Sequence, residues 1–130
     1  MIKPALLLAT LLTCLPAHAY EGAELLADCQ AADALYQGEK NSAPQHAIRS
    51  TRCIAYISGI ADGYAIGHHL AKSVGVGLGA FCLPDDSEIQ RRLVGAVLRH
   101  LERLPNSALS QGQPGPLVAG ALAKAFPCTE

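Results

Sequence analysis

The spacing of four cysteines limits this chain more than any other feature. Cys29, Cys53, Cys82 and Cys128 bracket nearly all of the sequence that carries a folding pattern. A zinc site usually draws two ligands from a tight C-x2-4-C turn. Here the closest two, Cys29 and Cys53, are 24 positions apart, so the spacing does not favour metal. A catalytic thiol needs an unpaired cysteine, and four leaves none over. An even set of widely spaced cysteines in a small exported chain is the pattern of a disulfide framework, with no cofactor expected.

Export is read from the N-terminus. Lys3 supplies a positive start, Ala5 to Leu15 is an almost unbroken apolar run, and Ala17-His18-Ala19 is a small-x-small cleavage site. Residues 1–19 therefore read as a signal peptide and 20–130 as one mature domain, placed in the periplasm. A membrane span needs about 20 apolar residues and this run is roughly half that, so no membrane segment is expected after cleavage. The fifth cysteine, Cys14, falls inside the leader. Thr13 precedes it in place of a small residue, which makes Ala17-His18-Ala19 a better processing site than a lipidation site.

Half of the residues are hydrophobic, yet there is no Trp and only two Phe. The core must be built from Ala, Leu, Ile and Val, which suits close-packed helices. A domain this small gains limited stability from burial, so each disulfide, typically worth ~2–4 kcal/mol, is a large part of its margin. The formal net charge is −1. Nucleic-acid binding calls for a basic balance and is not expected.

Four helical patterns follow, with no convincing strand, which makes the fold class an all-α bundle of four main helices. In the first, Leu25, Cys29, Ala32 and Tyr36 share a stripe, Glu21 and Glu24 favour its N-terminus, and Gly38 marks its end. Pro44 opens the second, with Cys53, Ile57, Ile60 and Tyr64 inward. Cys29 lies about as far before the first helix's end as Cys53 lies after the second's start. An antiparallel hairpin brings the two level, which pairs Cys29 with Cys53.

Asp85 and Glu88 read as the cap and capping-box residues of a third helix that buries Ile89, Leu93, Val97, Leu101 and Leu104 and stops at Pro105. A loop from Asn106 to Gly115 precedes a fourth helix, opened by Pro116 and closed by Pro127, with Leu117, Val118, Ala121, Leu122 and Ala125 inward. Cys82 and Cys128 flank these helices and form the second expected pair. Gly59, Gly63 and Gly67 recur at i, i+4 and i+8. Each glycine costs a helix about 0.5–1 kcal/mol relative to Ala, so the row implies close packing, within the chain in preference to across a dimer.

Gly75 to Gly79 lacks the strand and the GK[ST] frame of a phosphate loop and reads as a mobile connection. His68 and His69 are adjacent, about 100° apart on a helix, and do not face one metal. Asp62, near the glycine row, is expected to cap or bond locally. With no free thiol and no recognisable nucleophile and base, catalysis is not expected.

Four segments in order, Gly22-x-x-Leu25-Leu26-x-x-Cys29, Cys53-x-x-Tyr56-Ile57-x-Gly59-Ile60-x-Asp62-Gly63, Cys82-Leu83-Pro84 and Leu117-Val118-x-x-Ala121-Leu122-x-x-Ala125-Phe126-Pro127-Cys128, resemble the Rap/Tai family of type VI secretion immunity proteins. The resemblance covers essentially the whole mature chain. It implies a periplasmic, helical, disulfide-bonded protein, often a homodimer, without enzymatic activity, whose protein partner is a peptidoglycan amidase effector. The cysteines, Tyr56, Gly59, Asp62 and Gly63 carry over as fold residues. Gln111 to Gly115 departs from the more charged stretch expected there.

An inhibitor of this kind acts by filling the amidase's cleft. The exposed candidates for contact are Asn106, Ser107, Ser110, Gln111 and Gln113 on the loop, and Arg91, Arg92 and Arg99 on the third helix. Both sets also have the composition of ordinary solvated surface. Two binding roles of other classes fit the same architecture: an acid-stress chaperone of the HdeA type and an envelope adaptor that grips a helix along the glycine row.

Overall fold

The computed structural model describes residues 19–129. The expected leader through His18, with Cys14, lies outside the described residues. Among the described residues the architecture is all-α, with five helices: α1 (Gly22–Tyr36), α2 (Pro44–Ser73), α3 (Ile89–Leu101), α4 (Asn106–Gln111) and α5 (Pro114–Ala125). The fifth is α4, in the stretch read as a loop.

α1 is the hub, packing against the other four helices. A capping box starts it, in which the Glu21 side chain accepts from the N3 backbone and Glu24 accepts from the Glu21 N–H. Its stripe enters the core through Leu25, Cys29 and Ala32, each fully buried. Gly38, at φ 82°, ends it in the left-handed region that glycine adopts without penalty. α2 then returns antiparallel with Pro44 in its first turn. The hairpin is cross-linked by Cys29–Cys53, both at 0% exposure.

α2 is 30 residues long, about 45 Å at 1.5 Å per residue, against 15 for its partner. Its first half enters the core through Cys53, Ile57 and Ala61; Ile60 and Tyr64 are partly buried. The second half exposes Ile66, Leu70 and, at the C-cap, Val74. The glycine row lies on open surface. A Cβ at Gly59 or Gly63 would meet nothing within 4 Å, and one at Gly67 only Leu78 Cδ1 at 3.9 Å. Intrachain packing is therefore not its purpose. Close approach occurs at Gly22 instead, where a Cβ would stand 2.7 Å from the Leu109 carbonyl oxygen and from Leu117 Cδ1.

The segment after α2 is anchored at its far end. The Tyr64 hydroxyl donates to the Leu78 carbonyl at 2.8 Å and accepts from the Ala80 N–H at 2.9 Å, and the ring stacks on Phe81 at 4.0 Å. α3 starts at Glu88 as N-cap and not at Asp85. The local reason is Asp86, whose Oδ1 accepts from the Glu88 N–H at 2.7 Å and whose carbonyl accepts from the Ile89 N–H at 3.1 Å. The buried face of α3 is wider than its expected stripe, with Val94, Ala96 and Leu98 joining Leu93, Val97 and Leu101.

Pro105 stops α3's turn and becomes the N-cap of α4, whose Leu109 is buried. α5 begins at Pro114, two residues before the expected Pro116, because Gln113 already takes the extended N-cap conformation. Val118, Ala121 and Leu122 face inward, whereas Ala125 is exposed. Cys82–Cys128 closes the fold, backed by a bond from the Cys82 N–H to the Phe126 carbonyl at 2.9 Å.

Candidate functional site

The two candidate surfaces are built differently. Arg91, Arg92 and Arg99 are exposed on α3, Arg92 and Arg99 opposite its apolar stripe and Arg91 at its flank. They line a cleft of about 380 Å³ with Asp33 of α1, Gly95 and Phe126. Arg92 is fixed there, its Nη1 paired with Asp86 Oδ2 and its guanidinium 5.6 Å from the Phe126 ring centre. Arg92, and then the Glu88 N–H, hold the Asp86 carboxyl below its usual range. A second cleft of about 290 Å³ shares Ala96, Arg99 and Ala125 with the first and adds His100, Arg103 and Lys124. Burial, then Lys124 and Arg103, push His100 down.

The polar set lies on and after α4, not on a loop. Asn106, Ser107, Ser110 and Gln111 are exposed on the short helix, and Gln113 caps α5. Their backbone is rigidly seated, since Leu109 is buried and the Gly22 N–H donates to the Gly112 carbonyl at 3.2 Å. None of these five residues lines either arginine cleft.

Asp62 is exposed, with no hydrogen-bond partner among the described residues. His68 and His69 do not share a site: His69 is exposed, while His68 stacks on Tyr64 and lines an apolar cleft of about 280 Å³ with Phe81.

Sequence reasoning missed the polar centre of the hairpin. Asp28 is 1% exposed on the buried stripe of α1. Arg52 donates through Nε to Oδ2 and through Nη2 to Oδ1, the latter at 3.0 Å, and the Tyr20 hydroxyl donates to Oδ2 at 2.7 Å. The Arg52 guanidinium lies 5.1 Å from the Tyr20 ring centre, and Tyr20 meets Tyr56 edge-on at 5.3 Å. Burial, and then its bond to Asp28, raise the Tyr20 hydroxyl well above its ordinary value, while the same carboxylate raises Arg52. The signal was present: Asp28 precedes Cys29 and Arg52 precedes Cys53, so the pairing of Cys29 with Cys53 brings these charges together.

A family model described as Rap1a immunity proteins matches residues 21–128. The chain belongs to the Rap1a immunity protein family. Searches of curated proteins and of solved structures gave no significant match. The Rap1a match takes in both disulfides, all five helices and every candidate contact residue named above. Membership makes the chain one of the immunity proteins, whose partner is an effector. Among the described residues no helix is long and apolar enough to cross a membrane.

Proposed function

We propose that this protein is a periplasmic immunity protein that binds a type VI secretion effector of the peptidoglycan amidase class and blocks its active site by occlusion. The observation that carries this reading is the Rap1a match over residues 21–128. Two disulfides support the oxidising compartment, which is also where peptidoglycan is cut. Inhibition needs no chemistry from the inhibitor. A rigid surface that covers about 800 Å² of the enzyme is enough to exclude a peptide stem, and a disulfide-bonded bundle presents such a surface without ordering cost.

The reading includes a homodimer through α2. Ile66, Leu70 and Val74 are 62%, 61% and 75% exposed. The row Gly59, Gly63 and Gly67 runs toward them along the same helix with no Cβ in the way. A second α2 crossing there would bury the apolar residues and approach the backbone closely.

The test is protection. The gene product encoded beside this chain, directed to the periplasm of a laboratory host, should lyse the cells, and co-expression of this chain with its leader should restore growth. Lysis that proceeds unchanged, with this chain present and oxidised, would remove the immunity role.

A further inference from the structure

We propose that the two adjoining clefts along α3, which share Ala96, Arg99 and Ala125, act as one groove that docks an acidic segment of the effector protein, a proposal that rests on the immunity reading. Five of the chain's ten Lys and Arg residues, Arg91, Arg92, Arg99, Arg103 and Lys124, lie on α3, its C-terminal turn and α5, although the whole chain carries a net charge of −1. Together the two clefts are lined by all five, by His100 and by a single carboxylate, Asp33. Asp33 is itself engaged by the Gln37 side-chain amide. Glu102, at the C-cap of α3, lines neither cleft.

The cations are not consumed within the fold. Arg92 is paired with Asp86, but Arg91, Arg99, Arg103 and Lys124 form no ion pair among the described residues. His100 responds to the surplus, held toward its neutral form by burial and by Lys124 and Arg103. Gly95 makes room for the arrangement. The Arg99 guanidinium folds back over it, with Nη1 3.1 Å from where a Cβ would stand.

The geometry selects the ligand class. The cations run the length of the groove, from Arg91 to Arg103, twelve positions or about 18 Å at helical rise, so one small anion does not reach both ends. An extended segment of about six residues, at ~3.3 Å each, does. The planar fork of each guanidinium suits carboxylates presented in series, and the Phe126 ring gives the groove an apolar floor. A lipid surface fits less well, because no large exposed hydrophobic residue lies on α3 or α5 to insert beside the cations.

The test uses the full mature chain, isotope-labelled, titrated with hexaglutamate peptide and, separately, with inorganic phosphate and with phosphatidylglycerol vesicles. The expected result is a set of shifts confined to Arg91, Gly95, Arg99, Lys124 and Ala125. Arg99→Glu should weaken peptide binding at least tenfold, while Arg49→Glu on α2 leaves it unchanged. Shifts spread over the whole surface, equal loss in both variants, or tighter binding of phosphate or vesicles would overturn the proposal. The effector is then tested alone. If the wild type captures it and Arg99→Glu captures it equally, the groove is not its dock and immunity stands. If a localised peptide site is present and no effector is captured, immunity fails, and with it the groove's assigned partner.

Discussion

Asp28 and Arg52 are paired one residue away from the disulfide that joins the same two helices, so a covalent and an ionic link bridge α1 and α2 side by side. The carboxylate is 1% exposed and the arginine side chain 46% exposed, which makes the pair asymmetric. Removing Arg52 leaves a buried charge held by Tyr20 alone, whereas removing Tyr20 leaves the bidentate pair intact. Arg52→Ala should cost about 2 kcal/mol, below the usual range for a fully buried pair because water already reaches Arg52. Tyr20→Phe should cost about 1 kcal/mol. Urea unfolding of the oxidised protein checks both, and equal or reversed costs would contradict the asymmetry.

The same cluster sets an alkaline limit. Tyr20 has its hydroxyl raised in the folded state, so the folded chain holds that proton at pH values where the unfolded chain releases it. Its contribution is fully present below the ordinary tyrosine value of 10.0 and is lost as pH rises beyond it toward the folded value. In a tyrosinate absorbance titration Tyr20 should be among the last to ionise, and Tyr20→Phe should remove that late step.

At the acid side the sign is opposite. His100 is pushed below the ordinary histidine value of 6.5, so between the two values the unfolded chain binds more protons. Stability contributed by neutral His100 is present above 6.5 and declines as pH falls toward the folded value. Thermal melts from pH 7.5 down to 5.5 should show this decline, and His100→Gln should flatten that part of it.

The two disulfides should rank by burial and not by loop length. Cys82–Cys128 spans 46 positions and Cys29–Cys53 spans 24, a difference worth about 0.6 kcal/mol in favour of the longer loop. Cys29 and Cys53 are fully buried, however, while Cys82 is exposed. Replacing the first pair by Ala also leaves a void, so the loss should be about 4 kcal/mol, against about 3 for the second. Guanidinium unfolding of the two double variants decides the order.

Glycine substitutions should split by site. Gly22→Ala drives a Cβ against the Leu109 carbonyl and should destabilise by about 1–3 kcal/mol. Gly59→Ala meets nothing and should stabilise the isolated chain by about 0.5–1 kcal/mol. If Gly59 faces a second copy, the same change should weaken self-association in analytical ultracentrifugation.

The sequence carried the covalent frame and most of the helices because both are written in local spacing. Cys29 with Cys53 follows from a hairpin of known rise, and Leu25, Cys29 and Ala32 are buried as their period requires. α4 was not legible, since a six-residue helix rich in Ser, Asn and Gln has too few apolar positions to show a period, and only Leu109 holds it. Gly59, Gly63 and Gly67 were misread because a glycine row looks the same whether the groove is filled or open. The arginines of α3 were visible one by one. That they share a groove with Lys124 depends on how α5 lies against α3, which no local pattern records.

The most direct measurement is co-purification of the mature protein from its own periplasm without reductant, followed by an amidase assay on whatever it retains. The expected result is a stable complex with a peptidoglycan amidase whose activity falls to background at one equivalent of this chain. Recovery of the oxidised, folded protein with no cell-wall enzyme bound, and with the neighbouring gene's product neither bound nor inhibited, would contradict it.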